Sequence, residues 1–395
     1  MPTVKANSSY FFQCFFLICL ALFAIGCQDN NKSEGTQVTS TVPYFPEAGA
    51  QWEKRNPEAF GINKDSLEIV MDFVRSTESV GSKDLGKMLM SRARSVHDSL
   101  IGPTKERGKM NGIILKDGYI IYEFGDTKRM DMTFSITKSF LSTMAALALD
   151  SGLLTDLHEP VYHRLSIPQF EGDPHNKITW HHLLQQTSEW EGTLWGKPDL
   201  ADRRKGEDRT LNEPGTFWEY NDVRVNLAAL ALLHIWQKPL PEVLEEEIMT
   251  PIAASDSWQW HGYRNSDIEI NNQTMKSVSG GGHWGGGMWI STRDLARFGY
   301  LFLMKGQWDD QQLFDASWID NIRTPCEAEP TYGYMWWLNT DRKMWPDVPA
   351  DSYAARGGGS NIIWVYPKKK LVVVIRWIQG NKVNDALAKI NTAIN

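Results

Sequence analysis

The chain has 395 residues, 42% of them apolar and 11% aromatic, which is the make-up of an ordinary globular core, enough for one large domain or two. A formal net charge of -7 and a pI near 5.8, with no long Lys/Arg block, argue against a nucleic-acid surface or a face adapted to anionic lipid.

At the N-terminus Lys5 is followed by an apolar stretch over 10–25, then by Gly26-Cys27 and a polar run over 28–40. This order resembles a bacterial lipoprotein signal, in which Ala24-Ile25-Gly26-Cys27 is similar to the lipobox. The resemblance implies cleavage before Cys27, a lipid on that cysteine, and export to a bacterial membrane that holds the chain by its anchor. An uncleaved N-terminal anchor is the competing reading, although the stretch is short for a spanning helix. The expected organisation is a leader over 1–26, a Ser/Thr/Asn-rich tether over 27–50 and a single domain over 51–395. Cys14 and Cys19 leave with the leader and Cys27 carries lipid, so Cys326 has no partner and no disulfide is expected.

Within the domain, apolar spacing predicts helices over 66–75 and 85–100. The run N-G-I-I-L-K-D-G-Y-I-I-Y-E-F over 111–124 holds two apolar segments around Asp117-Gly118 and predicts a β-hairpin. A Leu/Ala/Met-rich helix over 139–150 follows and stops at Ser151-Gly152. The middle region, about 150–320, reads as mainly helical, with helices over 180–186, 225–236 and 295–304. Strands return over 332–338, 361–366 and 371–378, and a last helix spans 384–394. Chain ends that share one sheet around a helical insertion make one α+β unit.

Between the hairpin and the 139–150 helix lies F-S-I-T-K-S-F, whose Ser135-x-x-Lys138 is the chain's one Ser-x-x-Lys. Residues three apart on a helix share a face, so the Lys138 amine can reach the Ser135 hydroxyl. If burial or a second cation holds that amine neutral, it can take the serine proton, and the helix N-terminus favours negative charge nearby. A solvated helix turn is the alternative. Tyr220, at the end of E-P-G-T-F-W-E-Y-N-D over 213–222, is either a packed aromatic or a proton shuttle to a leaving group. Arg356-Gly357-Gly358-Gly359-Ser360 is either a flexible loop or an edge whose N–H would complete an oxyanion hole with that of Ser135.

In this order the three elements resemble the penicillin-binding and class C β-lactamase-like serine hydrolases, including their esterase and nylon-oligomer hydrolase branch. Two further stretches carry the same resemblance: I-T-W-H-H-L-L-Q-Q-T-S over 178–188, and G-G-G-M-W-I-S-T-R-D-L-A-R-F over 285–298. It implies a β-lactamase/transpeptidase-like α+β fold, an antiparallel sheet of N- and C-terminal strands flanked by helices. It also implies Ser135 as acyl-enzyme nucleophile, Lys138 as base or relay, Tyr220 as proton partner, and the backbone N–H groups of Ser135 and Gly358 as the oxyanion hole, with Gly357 or Gly359 as alternatives for Gly358.

The chain departs from the family's pattern in two places. Tyr220-Asn221-Asp222 stands for Tyr-x-Asn, which puts a carboxylate where an amide would meet substrate, or displaces the amide by one residue. Lys-Thr-Gly is absent, and Arg356-Gly357-Gly358 stands near its place, which weakens a β-lactam reading unless Arg356 supplies the cation. Asp222, Arg356, Gly357, Gly359, Trp190 and Trp337 are the candidate substrate contacts, the tryptophans because several of the 17 flank the motifs.

No G-x-S-x-G, H-E-x-x-H or Walker-type glycine loop occurs, and His158, His163, His181 and His182 lack metal-ligand spacing. The expected protein is a lipid-anchored hydrolase of small esters or amides that needs neither metal nor cofactor. A β-lactamase or D-alanyl-D-alanine peptidase and a non-catalytic scaffold are the alternatives.

Overall fold

The computed structural model describes residues 43–47, 52–91 and 96–394. The leader over 1–26, Cys27 and most of the 27–50 tether lie outside them. In chain order the main elements are α1 (Lys64–Arg75), α2 (Leu85–Met90), β1 (Asn111–Lys116), β2 (Tyr119–Phe124), β3 (Asp131–Met132), α3 (Thr137–Asp150), α4 (Trp180–Gln185) and α5 (Asp222–Trp236). Then follow β4 (Gln259–Ile270), β5 (Gln273–Val278), β6 (Gly287–Ile290), α6 (Thr292–Leu303), β7 (Tyr332–Gly333), β8 (Trp336–Leu338), β9 (Tyr353–Gly357), β10 (Asn361–Tyr366), β11 (Leu371–Arg376) and α7 (Val383–Ala393).

The main sheet has seven antiparallel strands in the order β7-β8-β9-β10-β11-β1-β2, so the C-terminal strands join the N-terminal hairpin through the β11–β1 pair. Its central strands are apolar without a break because both faces are covered. Val372 and Val374 of β11 enter the core with α3, α5 and α6, while Leu371, Val373 and Ile375 pack with Leu67 and Met71 of α1 and Leu387 and Ile390 of α7. Period-two alternation thus serves two cores at once. Helix α3 is buried on nearly every side, as its apolar sequence requires.

Three expectations are corrected. The 85–100 helix ends at Met90, where the Ser91 hydroxyl turns back to the Met88 carbonyl 2.8 Å away. The middle region is not mainly helical: β4 and β5 form a long hairpin that turns through Asn271 and Asn272, both left-handed, and joins β3 and β6 in a four-stranded sheet. The strand expected over 332–338 is a tight hairpin turning at Tyr334 and Met335, whose carbonyls accept the α3 hydroxyls of Ser142 (2.7 Å) and Ser139 (3.0 Å).

Candidate active site

Ser135 stands in a single 3-10 turn, Phe134–Ile136, that feeds α3. Phe134 takes a φ of 53°, a left-handed conformation that costs a bulky residue energy and bends the chain so that Ser135 faces a cavity. The turn is held from both sides. Thr137 Oγ1 donates to the Phe134 carbonyl (2.6 Å) and accepts the Met288 N–H of β6 (2.9 Å), and the Phe134 ring meets Trp377 edge-on. On the other side β9 runs so close that a Cβ on Gly357 would lie 1.8 Å from the Thr133 carbonyl oxygen. Only glycine lets that strand end lie against the serine turn.

The cavity measures about 490 Å³, and Ser135, Tyr220, Asp222, Trp337, Arg356, Gly357 and Gly358 all line it. Three stretches separated by some 85 and 136 positions of sequence therefore meet, as 220 − 135 and 356 − 220 give. Two candidates are not brought in. Trp190 is buried in the core with its indole N–H on the Gln169 carbonyl (2.8 Å). Gly359, at φ 76°, packs under Trp377.

Lys138 Nζ donates to Ser135 Oγ at 3.0 Å and to Asp222 Oδ1 at 2.6 Å, and Lys138 and Asp222 are each 1% exposed. Burial pulls the Lys138 amine down, but the charge of Asp222, with help from Tyr220, outweighs it and holds the amine above its ordinary range. Burial likewise opposes ionisation of Asp222, and Lys138, with smaller help from His283 and Arg204, holds the carboxyl below its usual range. The expected neutral amine is thus an ammonium at rest. Asp222, expected to touch substrate, is first the lysine's counter-ion. The amide displaced by one residue does not line the cavity: Asn221 Oδ1 caps α5 through the N–H groups of Val223 and Arg224, and its Nδ2 reaches the Asp199 carbonyl.

Tyr220 presents its ring to two cations, Lys138 Nζ at 4.6 Å and the Arg204 guanidinium at 4.7 Å from the centroid, and stacks on Trp337 at 5.5 Å. Arg356 lies over Trp337 (5.2 Å) and Trp345 (5.4 Å) with a contact to Met344 Sδ, and among the described residues no carboxylate forms an ion pair with it. Burial pulls its pKa down, so it is a half-buried cation open to an anion from the cavity.

The sequence reading missed part of the lining: Asp98, Asp202, Arg204, Gly281 and His283. Arg204 pairs with Asp202 (3.1 Å), and His283 sits between Asp202 (3.6 Å) and Asp98 (3.5 Å). The D-R-R-K run at 202–205 reads as solvated charge. The glycines on both sides of His283-Trp284 were the signal that side chains are excluded there.

Below Tyr220 a buried ionic cluster fixes the segment that carries it. Glu189 accepts from Arg209 (2.5 Å) and from Arg224 of α5 (2.7 Å), and Arg209 also reaches Glu219. Among the described residues no group of three or more His, Cys, Asp or Glu is placed to hold a metal, and no helix is long and apolar enough to cross a membrane.

A family model described as Beta-lactamase matches residues 127–394. An uncharacterized protein of Alkalihalophilus pseudofirmus is 23% identical over 258 residues, 61% of this chain and 71% of that protein. A solved structure from Bacillus anthracis, provisionally described as a 6-aminohexanoate-dimer hydrolase, superposes with a TM-score of 0.56 at 16% identity, covering 89% of each chain. A penicillin-binding protein homologue from Caulobacter crescentus superposes with a TM-score of 0.55 at 14% identity, over 85% of this chain and 99% of that one. At these identities the superpositions speak for the fold.

Proposed function

The chain belongs to the beta-lactamase family of serine hydrolases, and from that premise we propose that it cleaves small esters or amides through an acyl-enzyme on Ser135. The observation that carries this reading is the 3.0 Å contact of Ser135 Oγ with Lys138 Nζ at the wall of a cavity wide enough for a small substrate. In it Ser135 attacks the acyl carbon, Lys138 relays the serine proton, and Tyr220 passes a proton to the leaving group. The N–H groups of Ser135 and Gly358 receive the developing oxyanion. Arg356, the cation without a carboxylate partner, receives an anionic group of the substrate, and Trp337 supplies an apolar wall. The provisional name of the Bacillus anthracis neighbour, an amide hydrolase, is compatible with this class.

The test is intact-mass analysis after exposure to a fluorophosphonate and, separately, to penicillin. Labelling of Ser135 by the first alone is the expected result. Adducts with both move the protein to the β-lactam branch, and adducts with neither leave a scaffold. We also propose, from the sequence pattern around Cys27, that the chain is exported and lipid-anchored to a bacterial membrane. Metabolic labelling with palmitate that is lost in Cys27→Ser is the expected result, and a wild-type protein that takes up no label would refute it.

A further inference from the structure

The resting enzyme described above poses a problem, because an ammonium cannot accept the Ser135 proton. The contacts around it show what keeps the proton there. Asp222 Oδ1 takes the ammonium at 2.6 Å, Asp222 Oδ2 takes the His283 backbone N–H at 3.2 Å, and the Asp222 N–H donates to Asp202 Oδ2 at 2.7 Å. Each carboxylate oxygen therefore has its own donor, Oδ1 the lysine and Oδ2 the His283 N–H, while the backbone of Asp222 is tied to Asp202. Other charged or titratable groups face this pair from separate elements: Tyr220, whose ring lies against Nζ, Arg204 and Asp202 from the 199–204 turn, and the His283 imidazole from the 281–284 segment. A Cβ on Gly281 would lie 2.2 Å from both Asp222 Oδ2 and Lys138 Nζ, so no side chain fits at that position beside the pair.

We propose that Asp222 is a positioning residue that keeps the proton on Lys138 in the resting enzyme, so that Ser135 is acylated only from the form in which Lys138 has released that proton to solvent. This rests on the reading of Ser135 and Lys138 as the reacting pair. In the released form neutral Nζ takes the Oγ proton as Oγ bonds to the acyl carbon. The bond from that carbon to the leaving atom breaks as Tyr220 passes its hydroxyl proton to the leaving atom and takes the proton from the ammonium in its place. Lys138 is then neutral again, and the proton it gave to solvent returns when the ion pair with Asp222 re-forms.

Asp222→Asn separates this role from a structural one. An asparagine that accepts the His283 N–H through Oδ1 turns its Nδ2 donors toward Lys138, and a donor there is compatible only with the lone pair of a neutral amine. Loss of one opposite charge at this distance shifts a titration by about one to three units.

The experiment measures the rate of Ser135 labelling by a fluorophosphonate across about pH 6 to 10, by intact mass, on the full chain. In the wild type the rate rises throughout this range without levelling off, because Asp222 holds the ammonium above it, and in Asp222→Asn the whole profile moves to lower pH by at least about one unit. A wild-type rate that is flat over this range overturns the proposal even if the variant does not fold. So does an unchanged pH profile in a folded Asp222→Asn, or a rise that disappears in His283→Asn, which would assign it to the imidazole. Label that persists in Ser135→Ala overturns the underlying nucleophile reading instead, and no change at Asp222 can mimic that result.

Discussion

Gly281 lies so close to Lys138 that a Cβ on it would fall 2.2 Å from the lysine's Nζ. The Lys138–Asp222 pair therefore depends on a residue that contributes no atom to it. Gly281→Ala is expected to push a buried ammonium off its carboxylate, at a cost of about 1 to 3 kcal/mol for overpacking a closed site. Labelling of Ser135 by a fluorophosphonate is expected to slow at least about tenfold, because Nζ loses its place beside Oγ. Urea denaturation and labelling kinetics on the same preparation check both.

Arg356 should reveal itself through substrate charge. A charge-assisted hydrogen bond contributes about 1.5 to 3 kcal/mol, or roughly tenfold to a hundredfold in kcat/KM. Arg356→Gln is expected to lower kcat/KM for a p-nitrophenyl ester bearing a terminal carboxylate by that factor relative to an uncharged ester of equal length. An unchanged ratio of the two would remove Arg356 from substrate binding.

How much of this could be read beforehand depended on whether the information was local. The β1–β2 hairpin was legible because Asp117-Gly118 is a turn with its own chemistry, and β10 and β11 because apolar runs of that length are strands buried on both faces. Ser135, Lys138 and Tyr220 were legible as motif residues, and the fold brings Ser135 and Tyr220 to one cavity with Lys138 buried against Ser135. Asp222 was legible as a residue but not as a role: its neighbour Asn221 is consumed by the α5 cap, and only the fold shows the carboxylate turned to a lysine 84 positions away. The β4–β5 hairpin was missed because most of the β4 side chains between Arg264 and Glu269 are exposed and polar, and the hairpin's turn is Asn-Asn rather than Asn-Gly. Trp190 illustrates the opposite error, since proximity to a motif in sequence did not place it at the cavity.

Stability should fall on mild acidification because of two histidines on α4. His181 and His182 have pKa values lowered to about 4, by burial first and then by neighbouring histidines. Unfolded, each titrates near 6.5, so the unfolded chain takes up protons first and stability declines as pH falls from about 6.5 toward 4. The melting temperature is expected to be several degrees lower at pH 5 than at pH 7. His182 closes a capping box with Thr179, and His182→Gln supplies the usual partner for that box without a titrating ring. The variant should keep its pH 7 stability and lose part of the acid sensitivity, which melting curves at the two pH values will read.

Glu189 should be the most costly single carboxylate to remove, because two guanidinium groups depend on it. It is 1% exposed, sits at a left-handed φ of 49°, and accepts from Arg209, Arg224 and the Asn212 N–H. Burial opposes its ionisation, but the Arg209 hydrogen bonds, the Asn212 N–H and Arg224 override it and hold the pKa at about 2. Its contribution is therefore present above the unfolded value near 4.5 and is lost as pH falls from there toward 2, below the window in which the histidines act. Glu189→Gln removes the charge and leaves Arg224, itself 2% exposed, with Asp199 as its remaining carboxylate. Breaking such a pair from one side costs about 3 to 5 kcal/mol, which urea denaturation at pH 7 should show. Adding Arg209→Gln should cost less than Arg209→Gln costs alone, since its bonds to Glu189 are already lost and its contact with Glu219 is what is left to break. If the double variant is instead less stable by the sum of the two single losses, the cluster is not a coupled unit, and its claim to hold Tyr220 and α5 in place falls with it.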